Sequence, residues 1–165
     1  ITMAGPDTVF DARAMRDACG SFATGVTVIS TSTPEGDHGM TANAFMSVSL
    51  DPPLISISLD RKSRMLDRIR SSGRYAVNVL AGDMEHVALH FAGRHDPALA
   101  TIFDRQDDLP VVPGAVAVFL TRVEQEVEAG DHILFIGRVT HLERRPEAQP
   151  LLFCGGRFER LGRAA

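Results

Sequence analysis

Residues 116–143, with the sequence VAVFLTRVEQEVEAGDHILFIGRVTHLE, contain two long apolar runs joined by a short polar connection. The runs extend from Val116 to Glu128 and from Ile133 to Glu143, and both are rich in the β-branched residues that favour strands. Gly130 and Asp131, in the connection, are ordinary hairpin residues. The stretch therefore predicts two long strands joined by a tight turn.

The rest of the chain also favours strands. Leu54 to Leu59 alternates apolar and polar residues with a period of two, as a half-buried strand does. No regular β-α-β alternation occurs, so a parallel α/β fold is disfavoured, and we expect a mainly β, closed antiparallel barrel with helices at its ends. Further strands are predicted near 26–31, 38–50, 75–80 and 151–154, and helices at 10–22, 63–70 and 83–92.

Composition predicts one ordinary globular domain over residues 10–165, after a loose lead-in at 1–9. The net charge of −4 and the pI near 5.8 argue against a nucleic-acid-binding surface. No apolar run approaches the roughly 20 residues of a membrane span, and no signal peptide is visible, so a cytoplasmic protein is expected. Residues 93–114, rich in Gly, Pro and Asp, predict a long surface connection.

The residues that most often hold metals do not form a recognisable metal motif. Cys19 and Cys154 are far apart in the sequence, which predicts two small buried hydrophobes rather than a disulfide or a zinc site. His86 and His90 are four residues apart on a predicted helix, with His95 close by, but no H-E-x-x-H occurs. Neither a G-x-G-x-x-G turn nor a G-x-S-x-G elbow is present. We therefore expect no metal site.

Residues 39–49 place small and hydroxylated side chains within an otherwise apolar passage. Thr41, Asn43, Ser47 and Ser49 offer short donors and acceptors beside backbone that can approach a planar ligand closely. An isoalloxazine ring requires such an apolar bed with polar groups at its edge. Residues 39–49 therefore indicate either a surface that binds the flavin ring or an ordinary strand whose solvent face is rich in Thr and Ser.

Two shorter segments each have a structural and a functional interpretation. Ser63 either caps the next helix or, with the free N–H groups there, holds a phosphate, to which Arg61 and Lys62 add charge complementarity. The turn Gly130-Asp-His132 is either a simple hairpin with an exposed histidine or a site in which His132 lies over a ligand.

Five motifs occur together in one order along the chain. They are Phe22-Ala-Thr-Gly-Val26, Met40-Thr-Ala-Asn-Ala-Phe-Met-Ser-Val-Ser-Leu50 followed by Asp51-Pro-Pro53, Phe91-Ala-Gly93, Gly130-Asp-His132 and Gly156-Arg-Phe158. In this combination the chain resembles the flavin reductase-like family, the short reductases of two-component flavin monooxygenases. The resemblance extends from about residue 10 to 162.

The resemblance implies a split β-barrel of antiparallel Greek-key type that binds FMN or FAD, forms a homodimer and takes hydride from NADH or NADPH. It further implies that the reduced flavin is supplied to a separate monooxygenase component. His132 matches the histidine that meets the nicotinamide, and it is the catalytic candidate. The residues that match the flavin site are Thr41, Ala42, Asn43, Ser47, Val48 and Ser49, with Asp60 and Ser63 at the phosphate end. Phe91 and Gly93 match the second wall of the flavin pocket.

One position departs from the family pattern. Many relatives carry Tyr where this chain has Phe158, so a hydroxyl contact near the cofactors is missing while stacking by the ring is retained. Two further functions remain open beside a reductase: a non-catalytic flavin-binding or carrier protein on the same fold, and a split-barrel oxidoreductase that acts on pyridoxine phosphate or a deazaflavin.

Overall fold

A computed structural model of the chain describes residues 11–162, so the predicted lead-in at 1–9 lies outside the described residues. Three α-helices and twelve strands follow one another along this part of the chain. In order they are α1 Ala12–Gly20, β1 Thr24–Gly25, β2 Thr27–Thr33, β3 Gly36–Ala42, β4 Phe45–Leu50, β5 Pro53–Asp60, α2 Arg64–Ser72, β6 Arg74–Val79, α3 Glu85–His90, β7 Asp104–Gln106, β8 Leu109–Val111, β9 Ala117–Ala129, β10 His132–Arg144, β11 Leu151–Cys154 and β12 Arg157–Arg160.

A seven-stranded antiparallel sheet of order β3-β2-β6-β9-β10-β5-β4 forms the body of the protein. Its two end strands, β3 and β4, are consecutive in the chain but do not pair with each other. A three-stranded sheet of order β1-β11-β12 is called the small sheet below, and β7 pairs with β8. The sheets are therefore not closed, which corrects the expectation of a closed barrel and fits the split barrel that the resemblance implied.

Two large apolar clusters hold these elements together. In the first, Met65, Leu66 and Ile69 of α2 pack on strand residues that include Tyr75 and Phe135. The burial of one helix face against one sheet face is the general way in which two such layers share a core. The second cluster joins β2 to α3 and to the small sheet, through Val26, Val28, Leu80, Val87, Ala88, Val112 and Leu151.

Most predicted elements are confirmed within about two residues. The hairpin turn is the two-residue loop between β9 and β10, with Ala129 paired to His132. Asp11 caps α1 by accepting from the Arg13 amide, and Ser63 caps α2. The buried face of α2 contains the three apolar residues predicted for it.

Three expectations are wrong in part. Residues 109–112 of the predicted surface connection are buried, because the Val112 amide donates to Asn78 and the Pro110 carbonyl accepts from Ser30, both inside the protein. Cys19 is exposed and Cys154 only half-buried, and both are free thiols. Helix α1, predicted from one apolar face, has no buried residue; Phe10, the first residue of that pattern, lies outside the described residues.

Between residues 11 and 162, no helix is long and apolar enough to cross a membrane.

Candidate functional site

The Thr/Asn/Ser stretch runs from the end of β3 into β4, the two end strands of the large sheet. Ala42 closes β3, the side chain of Asn43 is exposed, and β4 is the end strand of the sheet. A register shift between Ser47 and Ser49 leaves Val48 without a partner on β5, which is a β-bulge. The predicted ring-contacting residues therefore lie on the two end strands of the sheet and on the short connection between them.

Thr41 differs from its neighbours because its polar groups are already engaged within the protein. Its hydroxyl donates to the Ala88 carbonyl at 2.6 Å, and its amide donates to the Phe91 carbonyl at 3.1 Å. Both acceptors belong to the C-terminal end of α3. Thr41 thus fastens α3 to the end of β3, and its hydroxyl is committed to that contact.

Phe91 stands against this junction, where the second wall was predicted. Its ring stacks on Phe103 with centroids 5.1 Å apart and an interplanar angle of 29°. A Cβ built on Gly39 of β3 would lie 2.6 Å from the Phe91 ring, so only glycine allows the ring this close to the strand. Gly93, two residues on, has a φ of 103°, a conformation that L side chains rarely adopt. The sequence motif Phe91-Ala-Gly93 therefore marks a tight turn beside a fixed ring.

At the predicted phosphate end, the side chains of Asp60 and Ser63 both complete local structure. Asp60 Oδ1 accepts from the Lys62 amide at 2.8 Å. Ser63 Oγ accepts from the Met65 amide at 3.2 Å as the helix cap, and it lies 3.3 Å from Met40 Sδ. The capping interpretation of Ser63 is thus the one observed, while its hydroxyl also contacts the strand that carries Thr41.

His132 is the first residue of β10 and pairs directly with Asp60, the last residue of β5. Its Nδ1 lies 2.7 Å from Asp131 Oδ1, and its side chain is about half exposed, with 43% of its surface accessible. The hydrogen bond with His132 is the largest cause that lowers the pKa of Asp131, followed by attraction to the imidazole charge. Because a carboxylate can only accept, this contact requires a proton on Nδ1, and Nε2 is the ring nitrogen that Asp131 does not engage.

Phe158 belongs to a different part of the molecule from His132. It lies on β12 and packs edge-on against Phe153, with ring centroids 5.4 Å apart. Phe158 and Phe91 border the same apolar cluster, the one that joins α3 to the small sheet, whereas Ala42 packs against the other cluster. Phe158 therefore lies in the same apolar cluster as Phe91, the residue predicted for the second wall of the flavin pocket.

One surface cavity lies away from these residues. It measures about 920 Å³, and its lining includes Asp83, His86, Arg145 and Arg160 but none of the predicted flavin-contacting residues. The rings of His90 and His95 lie 4.7 Å apart, yet in the described part of the chain no three His, Cys, Asp or Glu side chains could hold a metal ion.

Two residues of the site have roles that the sequence analysis missed. Gly39 lies inside a strand, where a glycine often marks the close approach of another group. Its position in the sequence was therefore a usable indication of the contact with Phe91. Arg61, for which the sequence left open a phosphate contact or a solvated side chain, donates to the hairpin turn: its Nε lies 2.9 Å from the Gly130 carbonyl oxygen. That contact joins residues 69 positions apart, and no local pattern indicates it.

Comparison with known proteins gives matches over nearly the whole chain. The profile of the flavin reductase like domain matches residues 19–162. An NADH-dependent flavin reductase from Rhodococcus sp is 44% identical over 151 residues, covering 89% of this chain and 85% of that protein. The reductase component of 4-hydroxyphenylacetate 3-monooxygenase from Thermus thermophilus is 35% identical and covers 90% of this chain and 95% of that protein.

A solved structure gives the same result in three dimensions. The NADH:FAD oxidoreductase SgcE6 of Streptomyces globisporus, in complex with NAD and FAD fragments, superposes with a TM-score of 0.86 at 36% identity. The match covers 95% of this chain and 98% of that one.

Proposed function

The chain belongs to the flavin reductase like domain family, and from this membership we propose that it is an oxidoreductase that transfers hydride from NADH to FMN or FAD. The similarity to the reductase component of a two-component monooxygenase supports delivery of the reduced flavin to a separate oxygenase. The observation in the structure that carries the proposal is the direct pairing of His132 with Asp60. It brings the nicotinamide-side candidate next to the flavin-phosphate-side candidates.

The free edge of β4 suits a flavin ring. An end strand has N–H and C=O groups on its outer side that no neighbouring strand pairs with. The bulge at Val48 frees more backbone at the same place. Partly buried apolar residues, Ala42 at the end of β3 and Phe45 on β4, supply the bed beneath a planar ring. We propose that Ala42, Asn43, Ser47, Val48 and Ser49 contact the ring there.

The work of the protein is to bind and orient two cofactors. When bound, the flavin accepts the hydride at its N5, so the cofactors supply the reactivity. Backbone donors of the β4 edge would stabilise the negative charge that grows on the ring. His132, with its proton held on Nδ1 by Asp131, presents Nε2 to position the nicotinamide, and Phe91 limits the movement of the stacked rings.

The decisive experiment is the oxidation of NADH by purified protein, with FMN and FAD added side by side and NADPH compared as donor. Oxidation that depends on added flavin is expected. If neither FMN nor FAD supports NADH oxidation, the proposal is overturned. Protein that binds flavin tightly but oxidises neither NADH nor NADPH would indicate the non-catalytic carrier. Activity on pyridoxine phosphate or a deazaflavin would indicate the related oxidoreductases.

A homodimer is part of the proposal. Large apolar side chains are exposed on α1, just after it and on β4: Met15 is 60% exposed, Phe22 78%, Met46 56% and Leu50 95%. Exposed apolar area of this extent is available for burial in an interface. A second copy of the chain is the proposed partner, as the family resemblance implies. Size-exclusion chromatography with light scattering tests this, and a monomer at micromolar concentration would contradict it.

A further inference from the structure

The hairpin turn that carries His132 is held from outside by one residue. Arg61 donates twice to this turn, from its side-chain Nε to the Gly130 carbonyl at 2.9 Å and from its amide to the Asp131 carbonyl at 3.0 Å. Gly130 has a φ of 61°, which turns its carbonyl out of the β9–β10 ladder. The two outward carbonyls of the loop therefore have the same partner.

The backbone of Arg61 is itself fixed. It follows Asp60 at the end of β5, in a turn closed by a hydrogen bond of 2.9 Å from the Ser63 amide to the Asp60 carbonyl. The guanidinium is also shared with Glu128 of β9, at 3.5 Å, although both side chains are largely exposed and this ion pair contributes little. The side chain is thus directed at the hairpin rather than extended into solvent.

We propose that Arg61 is a positioning residue: it fixes the hairpin turn so that His132 meets the nicotinamide, and it does not serve as a phosphate-binding cation. The proposal rests on the proposed reductase function. Without the Nε contact, the hydrogen bond of the Arg61 amide and the pairing of β10 with β9 and β5 are the restraints left on the turn. His132 then samples more orientations, and NADH binding weakens while flavin binding does not.

Steady-state kinetics of Arg61→Met separates the two roles, with FMN and riboflavin as alternative acceptors. A positioning role predicts that the KM for NADH rises about three- to tenfold with either acceptor, since the net contribution of one exposed hydrogen bond is of that size, while the flavin KM stays unchanged. A phosphate role predicts a raised KM for FMN but not for riboflavin, which has no phosphate, and that result would overturn the proposal.

The matched control is Arg70→Met. Like Arg61, Arg70 pairs with a glutamate of β9: it donates hydrogen bonds of 3.0–3.2 Å to Glu126. Unlike Arg61, it makes no hydrogen bond to the turn among the described residues. Its loss should leave the KM for NADH unchanged. In a His132→Ala background, Arg61→Met should add less than a twofold change, because its effect passes through His132. A full, additive effect there would contradict the proposal.

Hydrogen exchange of the protein alone gives a readout that needs no cofactor. Peptides covering residues 58–62 and 128–133 should exchange about three- to tenfold faster in Arg61→Met than in the wild type or in Arg70→Met. Unchanged exchange would refute the contact as a restraint. A wild-type protein without flavin-dependent NADH oxidation would refute the proposed function, and the exchange result would still decide whether Arg61 holds the turn.

Discussion

The hydroxyl of Thr41 donates a 2.6 Å hydrogen bond to the carbonyl oxygen of Ala88, which ties β3 to the last turn of α3. Carbonyl groups in the last turn of a helix have no partner within the helix, and Ala88 is fully buried. The contact therefore satisfies an acceptor that water cannot reach. It also fixes the end of β3, where the stretch proposed to contact the flavin begins, relative to Phe91.

Thr41→Val should destabilise the protein by about 1–3 kcal/mol, because it keeps the shape of the side chain and leaves the Ala88 carbonyl unsatisfied. Urea unfolding measures the change. Thr41→Ser is the control: it retains the hydroxyl and should keep most of the stability. Equal stability of Thr41→Val and the wild type would show that the bond does not hold the helix.

Gly39→Ala should displace the Phe91 ring. The new Cβ would lie 2.6 Å from Phe91 and 2.8 Å from Phe103, and overpacking of this kind costs about 1–3 kcal/mol. We also expect weaker flavin binding, measured by fluorescence quenching. Gly25→Ala is the matched strand control, since nothing lies within 4 Å of its Cβ. Phe103→Leu should relieve part of the loss in Gly39→Ala, and no relief would place the strain elsewhere.

Much of the fold is predictable because its signals are local. The period-two run Leu54 to Leu59 and the apolar face of α2 each depend on residues within about ten positions of one another. Residues 109–112 were misjudged for the opposite reason. Their composition resembles a loop, and their burial depends on polar contacts with Ser30 and Asn78, which are distant in sequence.

The site was predictable as a set of segments but not as an arrangement. The stretch around Asn43 and the hairpin at His132 were recognisable from their residues. The commitment of the Thr41 hydroxyl to α3 and the contact of Arg61 with Gly130 were not, because each joins residues more than 40 positions apart. Sequence patterns indicate which residue types are present, whereas the partner of a polar group is decided by tertiary packing.

His132→Ala should raise the KM for NADH, or lower kcat, by about threefold to tenfold, as expected for one lost hydrogen bond or ring contact. The flavin KM should stay unchanged, since His132 is assigned to the nicotinamide side. His141→Ala is the control on the same strand, where His141 Nε2 bonds to Gln106. If neither NADH parameter changes, the assignment of His132 is wrong.

His90 should make the protein less stable in mild acid. The ring is 9% exposed, and its Nδ1 accepts a hydrogen bond of 2.8 Å from the Asp96 amide, so the ring is neutral in that arrangement. Burial, and then the charge of His95, lower the pKa of His90 below its ordinary value of 6.5, while Asp96 acts weakly in the opposite direction.

A lowered pKa means that the unfolded chain binds the proton first. The stabilising contribution of neutral His90 is therefore complete above pH 6.5 and is lost as the pH falls through the lower pKa of the folded state. His90→Asn retains an acceptor for the Asp96 amide and cannot titrate. Urea unfolding between about pH 8 and about pH 5 should show a smaller loss of stability in this variant than in the wild type. His86 is exposed on the same helix, so the stability of His86→Asn should follow that of the wild type across this pH range. Identical pH profiles of stability for the wild type and His90→Asn would exclude His90 as the titrating group.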